Sequence, residues 1–454
     1  MTATETRETQ VAVVGSGFSG LAAASVLRDA GVDVTVLEAR DRVGGRVETG
    51  RPLDDVTVDL GGTWIGPAQK RISALAKQHN VEIIPQYDEG HRLLQLEGRV
   101  RRYKGTIPRI SPVTLLDLLR LQLGAARVAR RVATPGPRYD KAAPALDELS
   151  LEQWLRKRHH GERAITLLGI AGKTIWGAEP RELSLLYVAH YINGAGGMDA
   201  LLDTEGGAQH ERFLGGAQEI AVRMAAQLGD AVLTGSPIER ITTSSDGHVE
   251  VAGPAGTVRA KRVIVALPPP LCDRIEFDPP LNEDRAAVQR QTRMGALTKC
   301  FAVYESPFWR EDGVSGEAVS DSGPASLTFD VSPPDGSYGV MLGFVGGDDA
   351  RSHTEISEAD GRKAVLKGFA SLYGPRALKP VAWTHRTWAD ERWSGGGPVA
   401  ICPPSVLSKH GAALRQSCGP ILWAGTETAE NWGGYIEGAV VAGERAANEA
   451  LRTI

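Results

Sequence analysis

The chain alternates between short β-branched runs and longer stretches of small and apolar residues with helical spacing. Val11 to Val14 is an unbroken apolar run, the pattern of a strand covered on both faces. Ser19 to Ala30 follows with small, helix-forming residues. Val32 to Leu37 is a second apolar run and ends at Glu38. This is one strand–helix–strand unit. Further strands are predicted at Ala231–Thr234, Ile238–Thr242, Val249–Val251 and Arg262–Leu267. A helix opens in Gly215–Ile220 and runs to about Leu228. Ile421–Ala424 reads as a late strand, leading through a glycine turn into a helix from Val440 to Leu451. Between these units the pattern changes. Residues 113–132 carry a leucine-rich helical repeat, residues 149–193 read as further helices, and residues 297–345 read as strands with a turn at Pro333–Gly336. Ala133 to Pro144, with Pro135, Pro137 and Pro144, reads as a surface linker.

The expected fold class is therefore α/β. A discontinuous Rossmann-like nucleotide domain (1–82, 210–290 and 385–454) is interleaved with an α+β substrate domain of mixed sheet and helices (83–209 and 291–384). The 454 residues suffice for two or three domains, and 42% apolar with 23% charged residues is a globular balance. A net charge of -4 gives no general attraction to nucleic acid or anionic membrane. Cys272, Cys300, Cys402 and Cys418 show neither CxxC nor zinc-ligand spacing, so they read as reduced thiols of a cytoplasmic protein, and no metal is expected. The polar N terminus has no signal-like apolar core. No apolar run reaches the roughly 18 residues of a membrane span. The chain stops at Ile454, directly after the last helix, so no tail anchor is expected. His159-His160 reads as a surface pair, and the Arg120–Arg131 run as a helix with a solvated arginine face.

Gly15-Ser-Gly-Phe-Ser-Gly20 lies between the first strand and the first helix. Gly15 permits the tight turn, Gly17 lets the backbone approach a pyrophosphate, and Gly20 lets helix and strand pack closely. The helix start, with Ser19, presents unpaired N–H groups to phosphate. Glu38, roughly 20 residues beyond the glycines, can accept hydrogen bonds from ribose hydroxyls and would repel a 2′-phosphate. Glycine motifs alone are weak signals; strand, helix, second strand and acid in order are a strong one.

Two further blocks carry a resemblance. Glu38-Ala-Arg-Asp-Arg-Val-Gly-Gly-Arg46 resembles an extension shared by flavin amine oxidases. Ala424-Gly-Thr-Glu-Thr-Ala-Glu-Asn-Trp-Gly-Gly-Tyr-Ile-Glu-Gly-Ala439 is similar to the flavin-facing segment of the monoamine oxidase family. Phe213–Gly216, Ala266–Pro269, Phe277–Leu281, Pro307–Arg310 and Asp59–Pro67 extend the match over most of the chain. The resemblance implies FAD, with contacts from Gly15, Gly17, Ser19, Gly20, Glu38, Ala39, Arg40, Gly45, Arg46, Gly62, Thr63, Trp64, Ile238, Ala266, Trp388, Gly425, Thr426, Glu427 and Ile436. It implies that Lys299 holds a water beside the flavin and that the Tyr435 ring faces the substrate. The matching pocket positions are Ile175, Trp176, Leu202, Gln209, Leu327, Phe344, Pro398 and Tyr435. The implied reaction is dehydrogenation of a neutral amine to an imine, with O2 as acceptor and hydrogen peroxide as product. A homodimer is implied by the resemblance only.

Two positions depart from the family pattern. Ser394-Gly-Gly-Gly-Pro398 stands where mitochondrial members carry a flavin-linking cysteine and a second cage tyrosine. The expectation is a non-covalent flavin and a lopsided cage of Tyr435 and Pro398. Leu327 stands where diamine-preferring relatives are expected to carry an acid, which favours monoamines. The alternatives are an L-amino-acid oxidase, which needs a pocket arginine, a polyamine or diamine oxidase, which needs acids, and a redox-inactive flavin-binding protein.

Overall fold

The structure is a computed structural model that describes residues 6–105, 110–132, 143–158 and 160–454. At its centre lies a five-stranded parallel sheet in the order Val232–Leu233, Val34–Leu37, Val11–Val14, Arg262–Val265, Ile421–Trp423. Strands from the start, middle and end of the chain are thus direct neighbours. Both faces of this sheet are covered, which is why its strands are continuous apolar runs. Val11, Val13, Val34 and Val36 face one core, packed by Leu21, Leu27, Ile220 and Val440 of the helices. Ala12, Val14 and Leu37 face the other, against Ile241, Val249, Val251 and Val258 of an antiparallel layer. The two helices Phe18–Asp29 and Ile436–Leu451 touch backbone to backbone. A Cβ at Gly443 would lie 2.0 Å from the Ser19 carbonyl oxygen, so only glycine fits there.

A seven-stranded sheet forms the second large layer, in the order Ala382–Thr387, Leu297–Tyr304, Gly339–Gly346, Leu327–Asp330, Val314–Ser320, His91–Leu96, Arg99–Tyr103. Its strands pair antiparallel, except that Val314–Ser320 runs parallel to His91–Leu96. Leu297–Tyr304 is buried along its whole length. Its period of two sends Cys300, Ala302 and Tyr304 to a core shared with Phe369. Leu297, Phe301 and Val303 go to the other face, with Phe344 and Leu342. Lys299 points with that second set. The helices Pro112–Arg131, Leu151–Lys157, Glu162–Trp176 and Leu185–Gly194 make a separate core around Leu121, Trp154, Trp176, Leu186 and Ile192.

Several boundaries differ from the sequence pattern. The last helix begins at Ile436, not Val440, with Tyr435 as its N-cap. Gly438 in its first turn is a poor helix former, and packing overrides that weakness. The strand read at Ile238 pairs from Arg240 to Thr243, after Pro237, which has no N–H to give. Residues 133–142 of the expected linker lie outside the described residues, and Ala143 and Pro144 open a short helix, Ala143–Asp147. His160 is buried rather than on the surface: its Nδ1 lies 2.6 Å from Asp117 Oδ1. His159 lies outside the described residues. The hairpin His91–Tyr103, which joins the large sheet, carries so many arginines that no strand is visible in its pattern.

Candidate active site

One cavity runs from the glycine turn of the parallel sheet to the buried face of the large sheet. Gly15, Gly17, Ser19, Glu38, Arg40, Gly45 and Arg46 line one end. Gly62, Thr63, Trp64, Ala266, Trp388, Gly425, Thr426 and Ile436 line its middle, and Ile175, Gln209, Lys299, Phe344, Pro398 and Tyr435 complete the wall. Most of the predicted residues therefore meet in one space. Gly20 packs behind the turn, where a Cβ would lie 1.8 Å from the Gly15 carbonyl oxygen. Ala39 follows Glu38 outside the lining. Ile238 packs beneath the parallel sheet, because its strand starts two residues later. Trp176 is in the helical core, since it closes the buried face of its helix. Leu202 is 47% exposed at the end of the short helix Met198–Leu202. Leu327 pairs with Phe344 across the sheet but does not reach the cavity wall.

At the glycine end, the helix Phe18–Asp29 starts from Gly17 with no side-chain cap. Its first N–H groups therefore need an acceptor, and the helix dipole favours an anion there. Gly17 and Gly45 face each other across the turn. A chain of phosphates fits such a cradle because no side chain intrudes. Glu38 is held from its own side: Ser16 N–H and Oγ both donate to Oε2 at 2.8 Å, and the Arg40 backbone N–H donates to Oε1 at 3.0 Å. Arg40 also pairs with Glu391 and donates to Ser394 Oγ at 2.7 Å. Glu391, nowhere legible as a partner in the sequence, comes from the turn after the large sheet.

Arg46 donates to Glu427 at 2.6 and 3.0 Å and to the Pro398 carbonyl at 2.9 Å. Glu427 thus anchors an arginine beside the cavity rather than lining it. Thr426 Oγ1 accepts the Gly434 N–H at 2.7 Å and donates to the Tyr435 carbonyl at 2.9 Å. That clamp fixes the turn presenting Tyr435. The Tyr435 ring sits 5.2 Å from Trp432, edge on, and 6.0 Å from Tyr191. Tyr191, from the helix Leu185–Gly194, also lines the cavity. It supplies a second aromatic ring that the expected pairing of Tyr435 with Pro398 lacked. Its only sequence signal was helical core spacing. Gly434 makes room for it, since a Cβ there would lie 2.5 Å from the Tyr191 oxygen.

Lys299 is 2% exposed. Its Nζ donates to the carbonyls of Asp59 at 2.5 Å and Gly61 at 2.8 Å, and to Thr63 Oγ1 at 2.6 Å. The rings of Trp64, Phe301 and Phe344 surround it at 5.4 to 5.5 Å. Burial pulls its pKa down to about 7, against the opposing pull of the Asp59 carboxylate. Burial pushes the Asp59 carboxyl up to about 6, opposed by Lys299 and by the Ala217 N–H. Gln209 offers another signal: its amide Nε2 donates to the Leu201 carbonyl at 3.3 Å, while Oε1 is buried without a partner. An unmet acceptor on a cavity wall is costly unless a bound molecule or water satisfies it.

A glycine turn at an uncapped helix start is thus joined to an aromatic, lysine-bearing pocket. The profile of the flavin-containing amine oxidoreductase family matches residues 18–451. The chain belongs to this family. AofH of Mycobacterium tuberculosis, named as a flavin-containing monoamine oxidase, is 43% identical over 439 residues, covering 97% of this chain and 96% of that protein. The flavin-containing amine oxidase B of Homo sapiens is 35% identical over 449 residues, covering 98% and 86%. Among solved structures, putrescine oxidase bound to putrescine superposes with a TM-score of 0.94 at 30% identity, covering 99% and 100% of the chains. Cyclohexylamine oxidase from Brevibacterium oxydans does so with 0.94 at 31%, covering 98% and 99%. The chain is thus a flavoprotein oxidoreductase acting on amines, with the α/β fold of these enzymes. Among the described residues, no helix is long and apolar enough to cross a membrane.

Proposed function

We propose that this amine oxidase binds FAD without a covalent link and oxidises apolar monoamines, with dioxygen as the electron acceptor. The bound flavin would supply a two-electron acceptor that dioxygen regenerates, releasing hydrogen peroxide. The residues named above define the rest. The cradle of Gly15, Gly17 and the uncapped helix start suits a diphosphate, and Glu38 suits the ribose of an adenosine half. Arg46 and Thr426 stand where the diphosphate and ribityl chain would run. No described cysteine lines the cavity: Cys300 turns to the opposite face of its strand and Cys402 opens on a neighbouring cavity. That supports a flavin held by contacts alone.

The observation that carries the substrate class is the pairing of charges on the wall. Glu38 is the one acid among the lining residues, and it is held by Ser16 and Arg40. Among the described lining residues, no carboxylate is left for a distal ammonium. Arg40 and Arg46 are both committed to carboxylates, so neither is spare to clamp an amino acid's carboxylate. Ile175, Phe344, Leu297, Tyr191 and Tyr435 make an apolar end that disfavours the charged ammonium. Gln209 lines this end of the cavity, and its unpartnered Oε1 would accept an N–H of the neutral amine and so orient its lone pair. Cytoplasmic location and a homodimer complete the reading.

The test is a panel of amines scored by peroxide release, with anaerobic bleaching of the flavin absorbance alongside. Benzylamine, phenethylamine or cyclohexylamine should exceed putrescine and L-amino acids. Turnover of putrescine well above these would overturn the monoamine reading and favour a diamine oxidase, the second reading that the likeness to putrescine oxidase supports.

A further inference from the structure

A second cavity lies behind Lys299, on the side away from the glycine cradle. Asp55, Leu214, Gly215 and Pro334, all exposed, stand at its mouth. Asp59, Arg212 and Thr63 line it, together with Phe301 and Leu342. Thr63 lines both this cavity and the one that holds Tyr435. Its Oγ1 accepts the hydrogen bond from Lys299 Nζ. The lysine therefore stands in a thin partition, with a protein-lined path to the outside on the far face.

That path is polar where it is deepest. Asp59 Oδ1 accepts from the Ala217 N–H at 2.9 Å and the Thr49 hydroxyl at 3.3 Å. Arg212 donates through one terminal nitrogen to the Ser332 carbonyl, while its buried Nε has no partner. A buried N–H of a charged group beside a carboxyl in an open-mouthed cavity requires water.

We propose that this rear cavity is a water-filled proton entry to Lys299, in which Asp59 is the positioning residue that exchanges a proton with the lysine amine through water at the Thr63 hydroxyl. It rests on the reading of Lys299 as a group beside the flavin. The exchange balances as a carboxylic acid and an amine becoming a carboxylate and an ammonium. It lets the lysine renew its proton without opening the substrate side, which must stay dry for the neutral amine. The other groups around Nζ leave this pair in control. Trp64, Phe301 and Phe344 do not titrate near neutral pH. Arg386, opposite Lys299 on the neighbouring strand, is held by Glu48 at 3.0 Å. Arg212 faces Asp59 and favours its ionised form. The lowered pKa of Lys299 and raised pKa of Asp59 bring both into the same range, as exchange requires.

The test uses the flavin-loaded protein, in which the front cavity is filled. Cyanate carbamylates neutral lysine amines, and peptide mass spectrometry reads the extent at Lys299 against exposed Lys363 and Lys409 as internal controls. Lys299 should be labelled with a midpoint near neutral pH. Leu214→Trp, at the exposed mouth, should slow labelling at Lys299 at least fivefold and leave the controls unchanged. Asp59→Asn should move the midpoint to lower pH, because removing the carboxylate removes what favours the ammonium, and Asp59→Glu should restore it. A purely structural effect of Asp59 would not be reversed in this way. Labelling of Lys299 only after the flavin is stripped, or an unchanged rate in Leu214→Trp, overturns the proposal. Anaerobic bleaching by benzylamine on the same preparations reports separately on the amine oxidase reading.

Discussion

Arg46 and Glu427 are joined by two hydrogen bonds at the edge of the cavity proposed for the flavin, though 381 positions separate them. Glu427 is 5% and Arg46 20% exposed in their side chains. Glu427 Oε1, which accepts one of the two, also accepts the Ala400 N–H at 3.1 Å. The pair ties the segment after the first strand–helix–strand unit to the C-terminal turn, and its geometry matters more than its net charge.

Removing one partner should therefore cost more than the pair contributes. Glu427→Ala strands a guanidinium with little water, a loss toward the low end of the ~3–5 kcal/mol typical of broken buried pairs, because Arg46 keeps some exposure. The melting temperature of the flavin-free protein should drop by several degrees, and flavin affinity, read by fluorescence titration, should weaken at least tenfold. Unchanged affinity would show that the pair serves the fold alone.

Lys299 makes stability depend on pH with a defined sign. Its folded pKa is depressed to about 7 by burial, so between that pH and the ordinary lysine value the unfolded chain binds more protons. Its contribution is present above the unfolded value and is lost as pH falls through the folded one. Asp59 has the opposite shift, so its contribution is lost as pH rises through its raised folded pKa, about 6. Lys299→Met should abolish the rise in melting temperature of the flavin-free protein between about pH 7 and 10. A parallel curve in the variant would contradict the burial of the charge.

Tyr435 acts through its ring. Tyr435→Phe should keep most activity, because burial raises the phenol pKa and no ionisation is called for. Tyr435→Leu should lower kcat/KM for benzylamine about tenfold, a loss of about 1.4 kcal/mol. Steady-state kinetics on both variants separates the ring from the hydroxyl; equal losses would point to the hydroxyl instead.

Gln209→Leu removes the buried, unpartnered oxygen at the amine end. If that oxygen orients the substrate nitrogen, KM for benzylamine should rise several-fold and its kcat fall, while flavin affinity stays the same. Wild-type kinetics in the variant would leave the amide a role in packing.

Acid precipitation tests the flavin linkage. The yellow chromophore should remain in the supernatant, since no described cysteine lines the cavity. A yellow pellet would require a covalent bond through another residue.

The sequence by itself determined the local chemistry. Val11–Val14 and the three glycines define a turn suited to phosphates, with Glu38 beyond it suited to a ribose, because strand period, turn conformation and helix start are set within one short segment. The segment around Tyr435 was legible for the same reason: its glycines and aromatics are contiguous. Only the tertiary structure decided which distant residues meet. Whether Lys299 was buried could not be read from alternation in a strand covered on both faces; the three acceptors it meets lie 236 to 240 positions away. Tyr191, Glu391 and Asp59 look like ordinary helix, turn and strand residues until the chain closes; Trp176 and Leu202 fit a pocket pattern but lie in the helical core and at the surface, and Leu327 shares the face of Phe344 without lining the cavity. Periodicity records which face of an element is apolar; what stands opposite that face is fixed only when separate elements pack.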